Sequence, residues 1–288
     1  MMNSAKTIII TGAGGFIGSH LTSYLAGLGV RVRAFGRKTP TLHDPRIAYH
    51  PFDLANIQDA GFAGADYLIH CAHESVLGRG VNVEAAKKII SLCKKHDIRL
   101  IFLSSFSAHE DAESEYGREK LAIERLCDPE KDLVLKLGLV LGPGGGLFGK
   151  IVSLLDRLPV VPLVGAGSQM IQTLALEDLG AVMASGIEKN ISGAYAIAHP
   201  LPVSMKMLYE EIARRLGRTP VFVPVSLSAA FRMARLAEAL GFHPPITSEN
   251  VLGLKHLRVR DTREDVARFG VLLKDWRETL DRFLPSFA

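Results

Sequence analysis

Two residues four positions apart, Tyr116 and Lys120, could move a proton. On a helix such residues share one face, a turn apart. A phenol titrates near pH ~10, too high for a base in neutral water. A neighbouring ammonium favours the phenolate and brings that value down. Ser105 precedes Tyr116 by eleven residues and follows an apolar run, where its hydroxyl could hold a substrate hydroxyl or carbonyl. Taken alone, the tyrosine and lysine could equally pair on an exposed helix face, so the reading depends on what accompanies them.

The companion is a glycine turn. Thr11-Gly12-Ala13-Gly14-Gly15-Phe16-Ile17-Gly18 directly follows the apolar run Ile8 to Ile10 and opens a helical pattern, the setting that a dinucleotide fingerprint requires. Gly12 suits the tight turn, Gly15 an approach of backbone to a pyrophosphate, and Gly18 close packing of helix on strand. The phosphates would sit at the helix N-terminus near Phe16 and Ile17, where unpaired N–H groups and the positive dipole end favour anions. About 20 residues past such a turn, an acidic residue takes the ribose hydroxyl of NAD, whereas arginine accommodates the extra phosphate of NADP. Here the chain reads Phe35-Gly36-Arg37-Lys38, and the first acid is Asp44. Arg37 therefore predicts NADP, with NAD as the other option, because a guanidinium fork matches a phosphate. A solvated basic strand end is the plainer explanation. Asp53 and Leu54 line the adenine site or, for Asp53, cap a helix.

These residues need a scaffold, and the pattern supplies one. Runs at Thr7–Ile10, Arg31–Phe35, Tyr67–Cys71, Leu100–Ser104 and Leu133–Leu139 read as strands, separated by helical patterns at Phe16–Leu28, Val83–His96 and Tyr116–Cys127. The alternation predicts an α/β fold, a doubly wound parallel Rossmann-like sheet. Gly142-Pro-Gly-Gly-Gly146, then Pro159, Pro162, Gly165 and Gly167, mark a boundary. We expect a dinucleotide-binding domain over 1–165, rejoined by 190–199, and a smaller, mostly helical substrate lobe over 166–288, interleaved with the first. That lobe has helical patterns at Met205–Leu216, Ser228–Leu240 and Trp276–Phe283, and short strands at Ala194–Ala198 and Val221–Val225.

With 48% hydrophobic and 22% charged residues, the 288-residue chain has the makeup of a compact globular protein. Its net charge of +4, from 34 basic and 30 acidic residues, gives no general argument for nucleic acid or a membrane surface. Cys71, Cys93 and Cys127 are widely spaced and odd in number, which suits a reducing compartment. No apolar stretch is long enough to span a bilayer, and a cytoplasmic location is expected.

Together these motifs resemble the extended short-chain dehydrogenase/reductase superfamily, the NAD-dependent epimerase/dehydratase family. T-G-x-x-G-x-x-G, Ser105 after a strand and Y-G-R-E-K at 116–120 carry the resemblance. Ile69-His70-Cys71-Ala72, the strand passing under a nicotinamide, adds to it, as do Lys136 to Pro143, Pro162 to Gly167 and Leu176 to Leu179. The resemblance implies hydride transfer between a nicotinamide and a carbinol or carbonyl carbon. Ser105, Tyr116 and Lys120 would be catalytic, Lys120 would also hold the nicotinamide ribose, and Cys71 and Ala72 would lie against the cofactor. It implies a small-molecule substrate, a nucleotide sugar among the candidates, and a homodimer.

Two departures stand out. Family dehydratases place an Asp-Glu pair soon after the active-site hydroxyl, where this chain has Phe106-Ser107, so dehydration is disfavoured unless Glu110 or Asp111 reaches the site. The R-P-x-N segment of nucleotide-sugar enzymes becomes Lys136 with Leu139 in place of asparagine, which leaves a smaller carbonyl substrate open. A catalytically weak NADP-binding sensor or assembly module is the competing expectation. His70-x-x-His73 lacks a third ligand at metal-site spacing, so no metal is expected. His73 and Glu74 are candidates for the substrate wall. Lys255, His256, Arg258, Arg260 and Arg263 form a basic run that is either a solvated face or a contact for a substrate phosphate through Arg258 or Arg260.

Overall fold

The computed structural model describes residues 6–37, 44–74, 80–242 and 244–284. Lys38 of the basic strand end lies outside them. The strands are β1 (Thr7–Thr11), β2 (Arg31–Gly36), β3 (Ile47–Pro51), β4 (Tyr67–His70), β5 (Arg99–Ser105), β6 (Leu133–Leu137), β7 (Leu139–Leu141), β8 (Val160–Val164), β9 (Met170–Ile171), β10 (Thr173–Ala175), β11 (Gly193–Ile197), β12 (Val203–Ser204) and β13 (Val221–Val225). The helices are α1 (Phe16–Gly27), α2 (Val81–Lys95), α3 (Glu115–Glu124), α4 (Gly146–Arg157), α5 (Leu176–Glu188), α6 (Met205–Arg215), α7 (Leu227–Ala239), α8 (Ser248–Lys255), α9 (Arg263–Phe269) and α10 (Trp276–Phe283).

Seven strands form the main sheet in the order β11-β6-β5-β4-β1-β2-β3, every neighbour parallel. The chain winds outward in both directions from β1, so the crevice beyond the carboxyl ends of β1 and β4 is the switch point where α/β sheets bind ligands. Ile8, Ile9 and Ile10 are fully buried, which explains why β1 reads as an unbroken apolar run: a central parallel strand is covered on both faces. Ile8 and Ile10 belong to the cluster beneath α1 and α5, and Ile9 to the one beneath α2 on the opposite face.

The predicted fifth strand is shorter than its apolar run. Gly138 is pressed between Gln172 and Ala198, where a side chain would meet the Ala198 methyl at 2.8 Å, and β6 ends there. Leu139–Leu141 leaves the sheet and pairs in parallel with β10. Packing also interleaves the expected lobes. Leu174, Leu179, Val182, Met183, Ile197 and Phe269 share the core under β1, whereas α4, β8, α6 and α10 surround a separate core of their own.

At the first turn, Gly12 has φ +68°, and Gly18 sits where a methyl would collide with the Gly12 carbonyl oxygen. Gly18→Ala should destabilise the chain by about 1–3 kcal/mol through overpacking. Urea denaturation checks this, and a change too small to measure would contradict the tight turn.

Candidate active site

β5 and α3 place Ser105, Tyr116 and Lys120. Ser105 ends β5, and Ser107 N–H donates to its hydroxyl at 3.2 Å, which fixes the turn leaving the sheet. Ser114 caps α3 by accepting from Gly117 N–H at 3.1 Å. At the second residue of α3, the Tyr116 hydroxyl is hydrogen-bonded to Ser105. Tyr116 is 36% exposed by surface area, yet its surroundings desolvate it enough to raise its pKa, and the Ser105 hydrogen bond works against that rise.

Lys120 is buried beneath this pair. Its ammonium donates to the Leu103 carbonyl at 2.7 Å and lies over the Phe102 ring at 4.7 Å and the Tyr116 ring at 5.7 Å. The sequence led us to expect the ammonium to lower the phenol's pKa. In the structure the ammonium is spent on a main-chain oxygen, and burial governs the phenol. Burial also pulls Lys120 itself down to about 8, with Cys71, Glu124 and Glu119 opposing the shift. Glu124 in turn hydrogen-bonds Ser104 and pairs with Lys136 at 2.8 Å. The lysine replacing the family arginine is therefore engaged by Glu124 of α3.

The glycine turn faces this group across the crevice. A methyl on Gly12 would lie 2.8 Å from the backbone of Ala72, and Thr11 Oγ1 sits 2.7 Å from His70 Nδ1. Gly15 donates to the Gly12 carbonyl at 2.9 Å and stands immediately before α1, while Gly14 has open space where a side chain would be. This bare backbone ahead of a helix N-terminus is a cradle that fits a pyrophosphate. Phe16 walls it on one side, against Gly145 and Gly146, and Ile17 packs on the core. Cys71, its thiol pushed up to about 12 by burial, and Ala72 form the floor between cradle and Lys120.

Other candidates are sorted by their partners. Arg37 stands at the end of β2 beside the turn, its guanidinium 3.3 Å from Glu74. Arg33 braces the carbonyls of Gly61 and Ala63 and is not a ligand group. Asp53 closes a turn by accepting from Ala55 N–H at 2.9 Å, and no helix starts there, so the capping alternative is set aside. Leu54 packs at the edge of the α2-side core. His70 stacks on Phe102 and is held neutral by burial, its pKa lowered to about 3. His73 meets the Tyr116 ring edge-on at 5.0 Å, its pKa lowered to about 4 by burial and then by the Lys120 charge.

The basic run is tied down in the same way. Lys255 and His256 pair with Glu113, and Arg258 with Asp111 at 2.9 Å. Glu110 pairs with Arg125, so neither loop acid points to the hydroxyl pair. Arg260 differs. Its guanidinium lies 5.4 Å from the Phe106 ring, next to Ser105, and its Nε is buried with no hydrogen-bond partner among the described residues.

Two positioning residues escaped the sequence reading. Asn82 accepts from Glu74 N–H and donates to the Glu74 carbonyl, both at 2.8 Å, which clamps the loop after β4. Glu249, on α8, accepts from the N–H groups of Glu115 and Tyr116 at 2.6 and 3.4 Å. Glu249 lies more than 130 residues from these partners, and no local pattern announces such a contact.

The profile of the NAD dependent epimerase/dehydratase family matches residues 8–198. The chain belongs to that family. Among curated proteins it is 25% identical over 272 residues to a 2-alkyl-3-oxoalkanoate reductase of Stenotrophomonas maltophilia, covering 81% of this chain and 82% of that one. It is 30% identical over 195 residues to a ceramide reductase of Caulobacter vibrioides, covering 63% and 61%. A dTDP-glucose 4,6-dehydratase from Streptomyces venezuelae, solved with NAD and TYD bound, shares the fold at TM-score 0.73 and 18% identity over 96% of this chain and 95% of that one. Among the described residues, no helix is long and apolar enough to cross a membrane.

The buried lysine has a pH signature. Its pKa lies at about 8 in the fold against an ordinary 10.5, so between those values the unfolded chain binds more protons. The cost of burying the charge is full below about 8 and is relieved as pH rises through the window. Urea denaturation at about pH 7 and about pH 10 should therefore show the native chain gaining stability relative to Lys120→Met at the higher pH. Identical pH dependence for both proteins would contradict the buried ammonium.

Proposed function

We propose that the chain is an NADP-preferring reductase of this family, acting on the carbonyl carbon of an apolar compound that carries an anionic group. The observation that carries this reading is the Ser105–Tyr116 hydroxyl pair, standing over buried Lys120 and opposite the glycine cradle. A bound nicotinamide would supply the two-electron chemistry. The protein's part is to bind, orient and protonate.

Ser105 would hydrogen-bond a substrate carbonyl, and Tyr116 would give that oxygen its proton. A phenol whose pKa is raised by burial remains protonated at neutral pH, which suits a proton donor and hence the reductive direction. Lys120, with its pKa near 8, is poised to replenish the proton or to turn towards a ribose hydroxyl. Neutral His73 closes the exposed edge of the ring. Arg37, with a guanidinium free to swing from Glu74, is the candidate for the adenosine phosphate of NADP.

The substrate class rests on three features. Arg260, with its unpartnered Nε beside Phe106, suits a carboxylate or phosphate. Leu139 replaces the family asparagine, and Lys136 is held by Glu124, which argues against a nucleotide sugar. The ion pairs of Glu110 and Asp111 argue against dehydration. Relatives named for 3-oxoalkanoate and ceramide reduction support an acyl-type carbonyl compound.

NADPH consumption with a panel of 3-oxo acids should reveal turnover, with NADH used less well. Tyr116→Phe should lower kcat by roughly 10²–10⁴-fold and leave NADPH affinity unchanged. An NADH preference would refute the role of Arg37. Tight cofactor binding without turnover on any carbonyl substrate would point instead to a sensor or assembly module.

A further inference from the structure

Helix α7 carries a surface that the reaction does not use. Ala229, Met233, Leu236 and Leu240 recur at intervals of four, three and four residues and so line one face of the helix and its C-terminal cap. Met233 is 60% exposed, Leu236 63% and Leu240 67%, and Phe242, just beyond the helix, is 67% exposed. Within α7 itself only Ala234 is buried. The exposure does not come from a loose helix. Ser226 caps α7, its inner side touches α8 and β8, and Glu238 accepts from both the N–H and the hydroxyl of Ser248 at 2.7 and 2.8 Å.

The strand that leads into α7 continues the apolar character. Val221 and Val223 pair in register with Val160 and Pro162, and all four are exposed. Soluble monomers seldom expose this many large apolar residues on neighbouring elements unless something covers them. Charge indicates what that is. Arg232 and Arg235 are exposed beside the stripe, and the only acid between Arg218 and Ser248 is Glu238, whose carboxylate is held by Ser248. A second copy meeting this face about a two-fold axis would bring the arginines of both chains together. An anionic lipid surface takes the apolar side chains among its acyl chains and the guanidinium groups at its head groups.

We propose that α7 and Phe242 form a docking surface for an anionic phospholipid bilayer, lying in the interface and not spanning it. The inference is independent of the proposed reaction. It also has a geometric consequence for the site, because α8, packed on α7, holds the N-terminal end of the Tyr116 helix through Glu249. Docking would thus act on an element that touches both the membrane-facing helix and the helix of Tyr116.

Sedimentation of the full chain with vesicles tests this. The native protein should pellet with vesicles made of equal parts phosphatidylcholine and phosphatidylglycerol, and far less with phosphatidylcholine alone. Arg232→Gln with Arg235→Gln should weaken binding about thirtyfold. Leu236→Glu with Leu240→Glu should remove it, while thermal unfolding and dinucleotide binding stay at native values. Failure of the native chain to pellet, or binding that these substitutions leave unchanged, would overturn the proposal. So would light scattering that shows a dimer in solution which Leu236→Glu converts to monomer, since the face would then belong to a second copy.

Discussion

The backbone of Gly12 lies so close to Cys71 and Ala72 that no side chain fits between them. That approach follows from the parallel register of β1 with β4, in which Thr11 stands opposite His70 and the two side chains bond. Everything in the candidate site is arranged around it. On one side the chain turns into the cradle ahead of α1. On the other, the ends of β4 and β5 bring Cys71 and Ser105 to the same crevice, and α3 brings Lys120. A wider spacing here would separate the glycine cradle from Ser105, Tyr116 and Lys120, the groups proposed to act together with it.

Electrostatics at the crevice follows from burial more than from pairing. Lys120, His70 and His73 are all pushed towards their neutral forms, and Tyr116 and Cys71 towards theirs. Low polarity around a single ammonium makes its contacts count: the Leu103 carbonyl holds it, and Glu124 and Glu119 favour its charge. The same desolvation that raises the phenol's pKa suits it to the proton-donor role proposed for it, which links the packing of α3 on β5 to the direction of that chemistry.

The sheet and the glycine turn were legible because central parallel strands must be apolar throughout and a tight turn requires glycine. Ile8 to Ile10 and Gly12 carry both signals locally. β3 was harder to see, since Ile47–Pro51 is an edge strand with every residue at least partly exposed. The break at Gly138 depends on Gln172 and Ala198, which are distant in sequence. In the site, Tyr116 and Lys120 could be paired by helical spacing, but the destination of the ammonium depends on the Leu103 carbonyl, a main-chain atom that no residue type reveals. The grips of Asn82 on Glu74 and Glu249 on α3 are tertiary in the same sense. The basic run at 255–263 had the opposite problem: its charges were obvious, and only the fold shows that Glu113 and Asp111 neutralise most of them.

The central claim is that desolvation keeps the Tyr116 phenol protonated against the opposing Ser105 hydrogen bond, while the ammonium of Lys120 is turned to the Leu103 carbonyl. A titration followed by NMR of ¹³C-labelled tyrosine, with Tyr116 assigned by its loss in Tyr116→Phe, reads this directly in the cofactor-free chain. The account predicts that its resonance stays in the protonated position past the ordinary phenol value of about 10. A midpoint below that value would mean that the ammonium reaches the phenol, contradicting both the buried arrangement and the proton-donor role built on it.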